Sequence, residues 1–205
     1  MANLKRTSSE TRTQAQQERI LVAAQKCFVA HGFHAASMAS IAETAGMSPG
    51  LIYRYFENKS AIILAIIERH LDDARADIAT LQSDTDLVPL FIDLFTQWQS
   101  GDAELMSPAL SLEMTAEATR DPQIAKALAA ADRVTGSDLN GWLKDAARSE
   151  GYEPADSDIR ARAFVLRCVL GGLAIRAIRE PDLDRSVLKD GLQRVLSKVM
   201  SFHNG

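Results

Sequence analysis

The chain has 205 residues, 46% of them apolar and 24% charged, which is typical of a soluble globular protein that buries a core without disulfides or metals. Two cysteines cannot form a disulfide framework, the first ten residues lack the apolar stretch of a signal peptide, and the run 163–175 is too short for a membrane span, so we expect a cytoplasmic protein. The net charge of −4 divides into +3 over residues 1–60 and −7 over the rest, which predicts a polyanion partner for the N-terminal part, although random scatter would also give it.

The apolar pattern predicts an all-α protein of about nine helices, with a three-helix N-terminal domain over residues 1–60 and a larger helical domain over residues 61–205. Residues 1 to about 12 are expected to form a polar, mobile arm. Its basic residues Lys5, Arg6 and Arg12 would enter a minor groove or simply aid solubility. The expected helices cover about 13–31, 38–45, 49–56, 58–81, 86–100, 103–119, 121–150, 157–180 and 182–203.

The segment 37–59, SMASIAETAGMSPGLIYRYFENK, predicts a helix-turn-helix. Ser37 suits the N-cap of its first helix, and Gly46 suits the end of that helix. Ser48 then caps a second short helix that has Pro49 at its first position, where the missing N–H costs nothing. Helices this short are marginal alone, so they must pack on the helix that precedes them.

The outward face of this third helix carries side chains suited to DNA, because a helix fits the major groove and its N-terminal residues reach the base edges. The alternative is that Tyr53, Tyr55 and Phe56 form a small core and Arg54 is only solvated; we favour that reading for Phe56 alone. Lys59, at the start of the fourth helix, suits a phosphate contact. The predicted DNA-binding residues are Ser37, Ser40, Ser48, Pro49, Gly50, Tyr53, Arg54, Tyr55 and Lys59.

The stretch MASIAETAGMSPGLIYRYFENKSAII resembles the DNA-binding signature of TetR-family transcriptional regulators, and ILVAAQKCFVAHGF resembles their first helix with its glycine-aromatic turn. The resemblance covers roughly residues 14–68. It implies that Ser48 to Leu51 begin the recognition helix, that Tyr53 and Tyr55 occupy its aromatic and histidine positions, and that Lys59 matches the family's lysine. It also implies a homodimer that binds a palindromic operator as double-stranded DNA and is regulated by a small-molecule effector.

The segment 163–175, AFVLRCVLGGLAI, is apolar on nearly all sides and so must be covered on two faces. Gly171 and Gly172 inside a helix cost about 1 kcal/mol each relative to alanine, which close backbone packing would offset. Together with the apolar stripe of the last helix, this segment predicts a dimer interface; the alternative is one deep core helix. The resemblance implies that the last two helices of each subunit form the interface.

By resemblance, the middle helices should enclose an effector pocket, although most of its candidate residues would serve equally as ordinary core. Arg167 lies in an apolar run and needs an anionic partner, either from the protein or from a ligand. A pocket of this composition suits an aromatic or lipophilic effector. The candidate effector-binding residues are Phe91, Phe95, Trp98, Met106, Glu113, Met114, Trp142, Phe164 and Arg167.

The sequence therefore predicts a ligand-responsive transcriptional repressor. The alternative is an all-helical enzyme or lipophile carrier with a purely structural N-terminal unit. The chain lacks the sequence patterns of a catalytic nucleophile, a phosphate-binding loop or a zinc protease, and we expect no cofactor. Cys27, His31 and His34 do not have the spacing of a zinc site, so we expect no metal.

Overall fold

The computed structural model describes the backbone of residues 2–100 and 107–202 and the side chains of residues 12–100 and 107–202. Within these residues the protein is all-α with nine helices, which confirms the predicted fold class. The helices are α1 (Ala2–Ala35), α2 (Met38–Thr44), α3 (Pro49–Ile52), α4 (Lys59–Thr80), α5 (Leu87–Ser100), α6 (Pro108–Ala118), α7 (Pro122–Ser149), α8 (Asp156–Arg179) and α9 (Arg185–Met200).

Helix α1 is longer than the sequence pattern predicts, because it begins at Ala2 rather than near Thr13. The prediction of a mobile N-terminal arm is therefore wrong, because the backbone is helical from Ala2 onward. Residues 2–31 contain neither glycine nor proline, so nothing in the sequence interrupts the hydrogen bonds of the helix. Gly32 has φ 75° and ψ 160° and breaks the helical geometry at the predicted place.

Short polar side chains cap the starts of three later helices. Asn58 Oδ1 accepts from Ala61 N at 2.8 Å at the start of α4. Asp121 Oδ1 accepts from Gln123 N at 2.8 Å before α7, and Asp184 Oδ1 accepts from Ser186 N at 2.7 Å before α9. The sixth helix begins at Pro108 in the described chain, and Met106, a predicted effector residue, lies outside the described residues.

The chain divides into two compact units that are discontinuous in sequence. The first unit runs to Arg69 and takes in Ala109–Leu128, so it contains α1 to α3, the first half of α4, and most of α6. The second unit comprises His70–Pro108 and the chain from Ala129 onward. The predicted functional boundary near residue 60 stays a prediction.

Each unit has its own apolar core. In the first unit, Phe28 of α1 lies with Ile41 of α2 and Ile52 of α3 among the fully buried side chains. The second core combines buried residues of α5, α7, α8 and α9, among them Leu143 and Ile159. Within the part of the chain described above, no helix has the length and apolar character needed to cross a membrane.

Candidate DNA-binding surface

The start of α2 is fixed by two serines that cap one another. Ser40 N donates to Ser37 Oγ at 3.0 Å, and Ser37 N donates to Ser40 Oγ at 2.9 Å, which forms a capping box. The Ser40 hydroxyl also donates to the carbonyl of Ser37 at 2.9 Å. Ser37 is exposed and Ser40 half-buried, so their first role in this structure is to hold the orientation of α2.

The turn between α2 and α3 depends on a glycine. Gly46 has φ 61°, in the left-handed region that side chains other than glycine adopt at a cost. Met47 N donates to Ala42 O at 2.8 Å across this turn, and Arg19 of α1 donates to Gly46 O at 3.3 Å. A Cβ atom at Gly46 would lie 2.8 Å from the Arg19 guanidinium. The turn is thereby tied to α1.

Gly46→Ala is expected to lower the free energy of unfolding by about 1–2 kcal/mol, because alanine is strained at positive φ and because Arg19 must move away. Urea denaturation followed by circular dichroism measures the change. Gly50→Ala is the matched control, since Gly50 has ordinary φ and open space around its Cβ position. Equal losses in the two variants would contradict the role given to the Gly46 backbone.

Helix α3 presents an exposed polar face to solvent. Ser48, Pro49, Gly50, Tyr53 and Arg54 are all exposed, and 57% of the Tyr53 surface is accessible. The side chains of Tyr53 and Arg54 have no hydrogen-bond or ion-pair partner among the described residues, and the Ser48 hydroxyl makes no cap. These donors are free to bind a ligand.

The opposite face of α3 anchors it to the first unit. Ile52 is fully buried and Phe56 is 7% exposed, as the sequence predicts for Phe56. Tyr55 is half-buried and lies between the two faces. A helix of only four residues is unstable alone, so this apolar side holds the exposed side chains in place.

The amine of Lys59, for which a phosphate contact is predicted, binds backbone carbonyls at the end of α1 in this structure. Its Nζ donates to Phe33 O at 2.7 Å, Ala36 O at 2.6 Å and His34 O at 3.3 Å, and it lies 4.6 Å from the centre of the Phe33 ring. Burial lowers the pKa of the Lys59 amine, while the nearby Glu117 carboxylate opposes that shift. The Lys59 amine thus caps the C-terminal end of α1, where a positive charge interacts favourably with the last backbone carbonyls of the helix.

Lys59→Met is expected to destabilise the first unit by about 2–3 kcal/mol, because the partly buried Phe33 and Ala36 carbonyls lose a charged donor. Methionine keeps an apolar stem beside the Phe33 ring. Thermal denaturation measures the loss, with Lys26→Met, at an exposed site on α1, as the control. A stability equal to that of the wild type would show that the three carbonyl contacts contribute nothing.

Two carboxylates of α6 contact the same end of α1. The sequence alone does not predict these contacts. Glu113 Oε2 accepts from Phe33 N at 3.1 Å, although Glu113 was predicted to bind the effector. Glu117 is only 6% exposed, and its Oε2 lies 3.2 Å from His34 Nε2. The partners are about 80 residues apart in the sequence, so no local pattern predicts them.

The predicted effector residues of the described chain belong to both compact units. Phe91, Phe95 and Trp142 belong to the core of the second unit, where Trp142 Nε1 donates to Gln82 O at 2.9 Å. Trp98 packs against that core, whereas Phe164 is 60% exposed. The other predicted residues of the described chain are Glu113 and buried Met114 in the first unit and Arg167 on α8.

Cys27, which sequence analysis considered as a metal ligand, is buried. Its Sγ lies 3.2 Å from Thr44 Oγ1 and 3.8 Å from Ser40 O, so it packs between α1 and α2. Among the described residues no group of three histidine, cysteine or acidic side chains could hold a metal ion. The exposed polar face of α3 is therefore the candidate binding surface of the first unit.

Comparison with known proteins identifies the family to which this chain belongs. The family model for bacterial regulatory proteins of the tetR family matches residues 20–66, which include α2, α3 and their turn. Over 206 aligned residues, 98% of each chain, the sequence is 30% identical to the HTH-type transcriptional regulator UidR of Escherichia coli K12. The chain belongs to the TetR family of bacterial transcriptional regulators.

Two further relatives agree with TetR-family membership. The structure of Salmonella enterica GusR matches with a TM-score of 0.70 and 28% identity, over 89% of this chain and 96% of that chain. The HTH-type transcriptional repressor AcnR of Corynebacterium diphtheriae is 28% identical over 191 residues, 93% of each chain. The predicted family and the prediction of a DNA-binding transcriptional regulator are confirmed. The alternative of an enzyme or lipophile carrier is not favoured, because these relatives are named as regulators.

Proposed function

We propose that this TetR-family protein is a cytoplasmic, homodimeric repressor that leaves a palindromic operator when a small-molecule effector binds. The N-terminal 60 residues supply the DNA-binding domain, and residues 61–205 supply the effector-binding and dimerisation domain. Repression follows the name of AcnR, which is a transcriptional repressor. An effector fits the ligand-responsive character of the family.

The exposed face of α3 is the observation that carries the DNA-binding proposal. The side chains of Ser48, Tyr53 and Arg54 are exposed and have no partner among the residues that the structure describes, while Ile52 behind them is fully buried. A helix held in this way can lay its N-terminal end against base edges. Arg54 is placed to pair with guanine or a phosphate, and the Tyr53 and Ser48 hydroxyls to donate to phosphates.

The remaining predicted DNA contacts lie around this face. Pro49 and Gly50 let the α3 backbone approach the duplex closely, and half-buried Tyr55 offers its hydroxyl from the side. Ser37 and Ser40 flank the surface through the capping box of α2. Lys59 acts through α1, whose end it closes, so its contribution to DNA binding is to position the helix-turn-helix.

The dimer proposal is supported by an apolar face of α8 that none of the described residues covers. Phe164 and Ile178 are exposed on it, as are Cys168, Gly171 and Gly172. A Cβ atom at either glycine would meet nothing within 4 Å, so the glycines do not serve packing within the chain. They leave room for a helix of a second copy.

Helix α9 continues this face. Val187 and Val195 are exposed, and Gly191 between them has open space around its Cβ position. Soluble monomers rarely expose an apolar surface of this extent. A two-fold pair of α8 and α9 would bury both helices and place two recognition helices for a symmetric operator.

Helix α4 is the proposed link between effector and DNA, since its residues up to Arg69 belong to the first unit and those from His70 to the second. A coupling free energy of only about 1–3 kcal/mol changes DNA affinity about 5- to 150-fold. A small-molecule thermal-shift screen would find effector candidates, and release of promoter DNA would identify the active ones.

Fluorescence anisotropy with DNA from upstream of the chain's own gene tests the proposed function. We expect tight binding of two chains per duplex and an affinity that falls steeply with added salt, because each neutralised phosphate releases counterions. A scrambled duplex of the same length is the control. Equal affinity for both duplexes, or an affinity insensitive to salt, would contradict sequence-specific binding through α3.

A further inference from the structure

A polar groove in the second unit is lined by matching faces of α7 and α8. Ala129, Arg133, Gly136 and Asn140 recur along α7 at helical spacing, and Arg160, Ala163 and Arg167 do so along α8. Asp132 and Ser137 complete the lining. The groove has a volume of about 480 Å³, within the range of small-molecule sites.

The charge of the groove is positive. Three guanidinium groups line it against a single carboxylate, that of Asp132. Asp132 is 79% exposed at its side chain and lies 4.0 Å from Arg167 Nη1, so it neutralises that arginine only weakly. Arg133 has no ion-pair partner among the described residues. The groove therefore has cationic donors available for an anion.

Two polar atoms of the groove are buried without a hydrogen-bond partner. They are Nε of Arg167, a donor, and Oδ1 of Asn140, an acceptor. A buried polar group left unpaired costs about 1–3 kcal/mol, so a ligand recovers that free energy if its binding draws these two side chains into the groove and satisfies both atoms. The Arg167 guanidinium packs on α7 at Gly136, where an added Cβ would lie 3.5 Å from it, in ordinary van der Waals contact.

These observations assign a ligand chemistry. Guanidinium groups match a carboxylate in a planar, bidentate geometry. The Asn140 acceptor requires a donor beside that carboxylate, and a ligand hydroxyl supplies one. We infer that the groove between α7 and α8 binds a small hydroxylated carboxylate, which, resting on the proposed function, is the effector of this regulator.

The inference revises the aromatic or lipophilic effector expected from sequence. The aromatic side chains that suggested it are core residues or, like Phe164, exposed on the surface. Arg167 is the one predicted effector residue that lines the groove. The sequence predicts that Arg167 needs an anionic partner. It does not predict that Arg133 and Arg160 lie near Arg167, because only the fold brings α7 and α8 together at this groove.

Isothermal titration calorimetry with the full chain at pH 7 and fixed ionic strength tests the groove. The probes are lactate, malate, tartrate and citrate, with succinate and inorganic phosphate for comparison. We expect at least one hydroxycarboxylate to bind at one site per chain and more tightly than succinate or phosphate. R133Q/R167Q should weaken that binding at least about tenfold, and R185Q, on exposed α9 surface, should leave it unchanged.

The inference is overturned if no hydroxycarboxylate binds, if phosphate binds as tightly, or if R185Q loses as much affinity as R133Q/R167Q. Asn140→Leu provides an independent check, since it should remove the preference for malate over succinate. DNA affinity without any added anion should be the same in R133Q/R167Q and wild type. A groove that fails to bind while promoter DNA is still bound refutes this inference alone, whereas loss of DNA binding by the wild type refutes the proposed function.

Discussion

Replacing Tyr53 and Arg54 together by alanine is expected to weaken promoter DNA binding by about 1,000-fold or more, because four side chains are lost in a dimer and each base or phosphate contact contributes about 1–3 kcal/mol. Both side chains are exposed and unpartnered, so their loss leaves the core of the first unit intact. Fluorescence anisotropy measures the affinity across a range of salt concentrations. The salt dependence should also become shallower, since phosphate contacts disappear.

The control for this variant is a pair of substitutions that removes charge elsewhere. Gln123→Ala and Lys126→Ala lie at exposed positions of α7, which belongs neither to the proposed DNA-binding surface nor to the proposed dimer interface. Thermal denaturation of all variants verifies that they remain folded. Wild-type affinity in the Tyr53/Arg54 variant would remove α3 from the DNA-binding surface.

Introducing charge on the uncovered face of α8 should separate the dimer. Phe164→Glu with Ile178→Glu is expected to raise the dimer dissociation constant at least about 1,000-fold, because each subunit would bury unpaired carboxylates. Both wild-type side chains are exposed within one chain, at 60% and 45%, so the monomer should keep its fold. Sedimentation velocity measures the oligomeric state, and circular dichroism the helix content.

The matched control places the same charge on apolar side chains outside this face. Leu90 of α5 and Leu112 of α6 are 42% and 44% exposed, and glutamate at both should leave the dimer intact. DNA affinity should fall only in the α8 variant, since two linked recognition helices bind more tightly than one. A wild-type dimer in the α8 variant would place the interface elsewhere.

The local architecture of the helix-turn-helix is readable from sequence because its signals are local. Ser37 and Gly46 act within three or four residues of their own position, and each caps or ends the helix that it was predicted to cap or end. Phe56 is buried as its apolar character indicates. The beginning of α1 was misjudged because polar composition alone does not stop a helix.

The contacts that depend on the tertiary fold could not be read in the same way. The sequence predicts a phosphate contact for Lys59, but it does not show that the fold also brings the carbonyls of Phe33 and Ala36 to its amine. Glu113 meets Phe33 across 80 residues of sequence. Phe164 looked like a pocket residue because α8 is apolar on two faces, and periodicity does not tell which face is inside.

Dimethyl sulfate protection of guanine N7, a major-groove atom, tests the central claim most directly, since the claim is that α3 enters the major groove twice. The account predicts two protected clusters in the promoter duplex, related by two-fold symmetry and about one helical turn apart or a multiple of it. Alanine at Arg54 should abolish protection in both clusters together. Guanines that remain fully reactive under saturating protein, or protection that Arg54→Ala leaves unchanged, would contradict it.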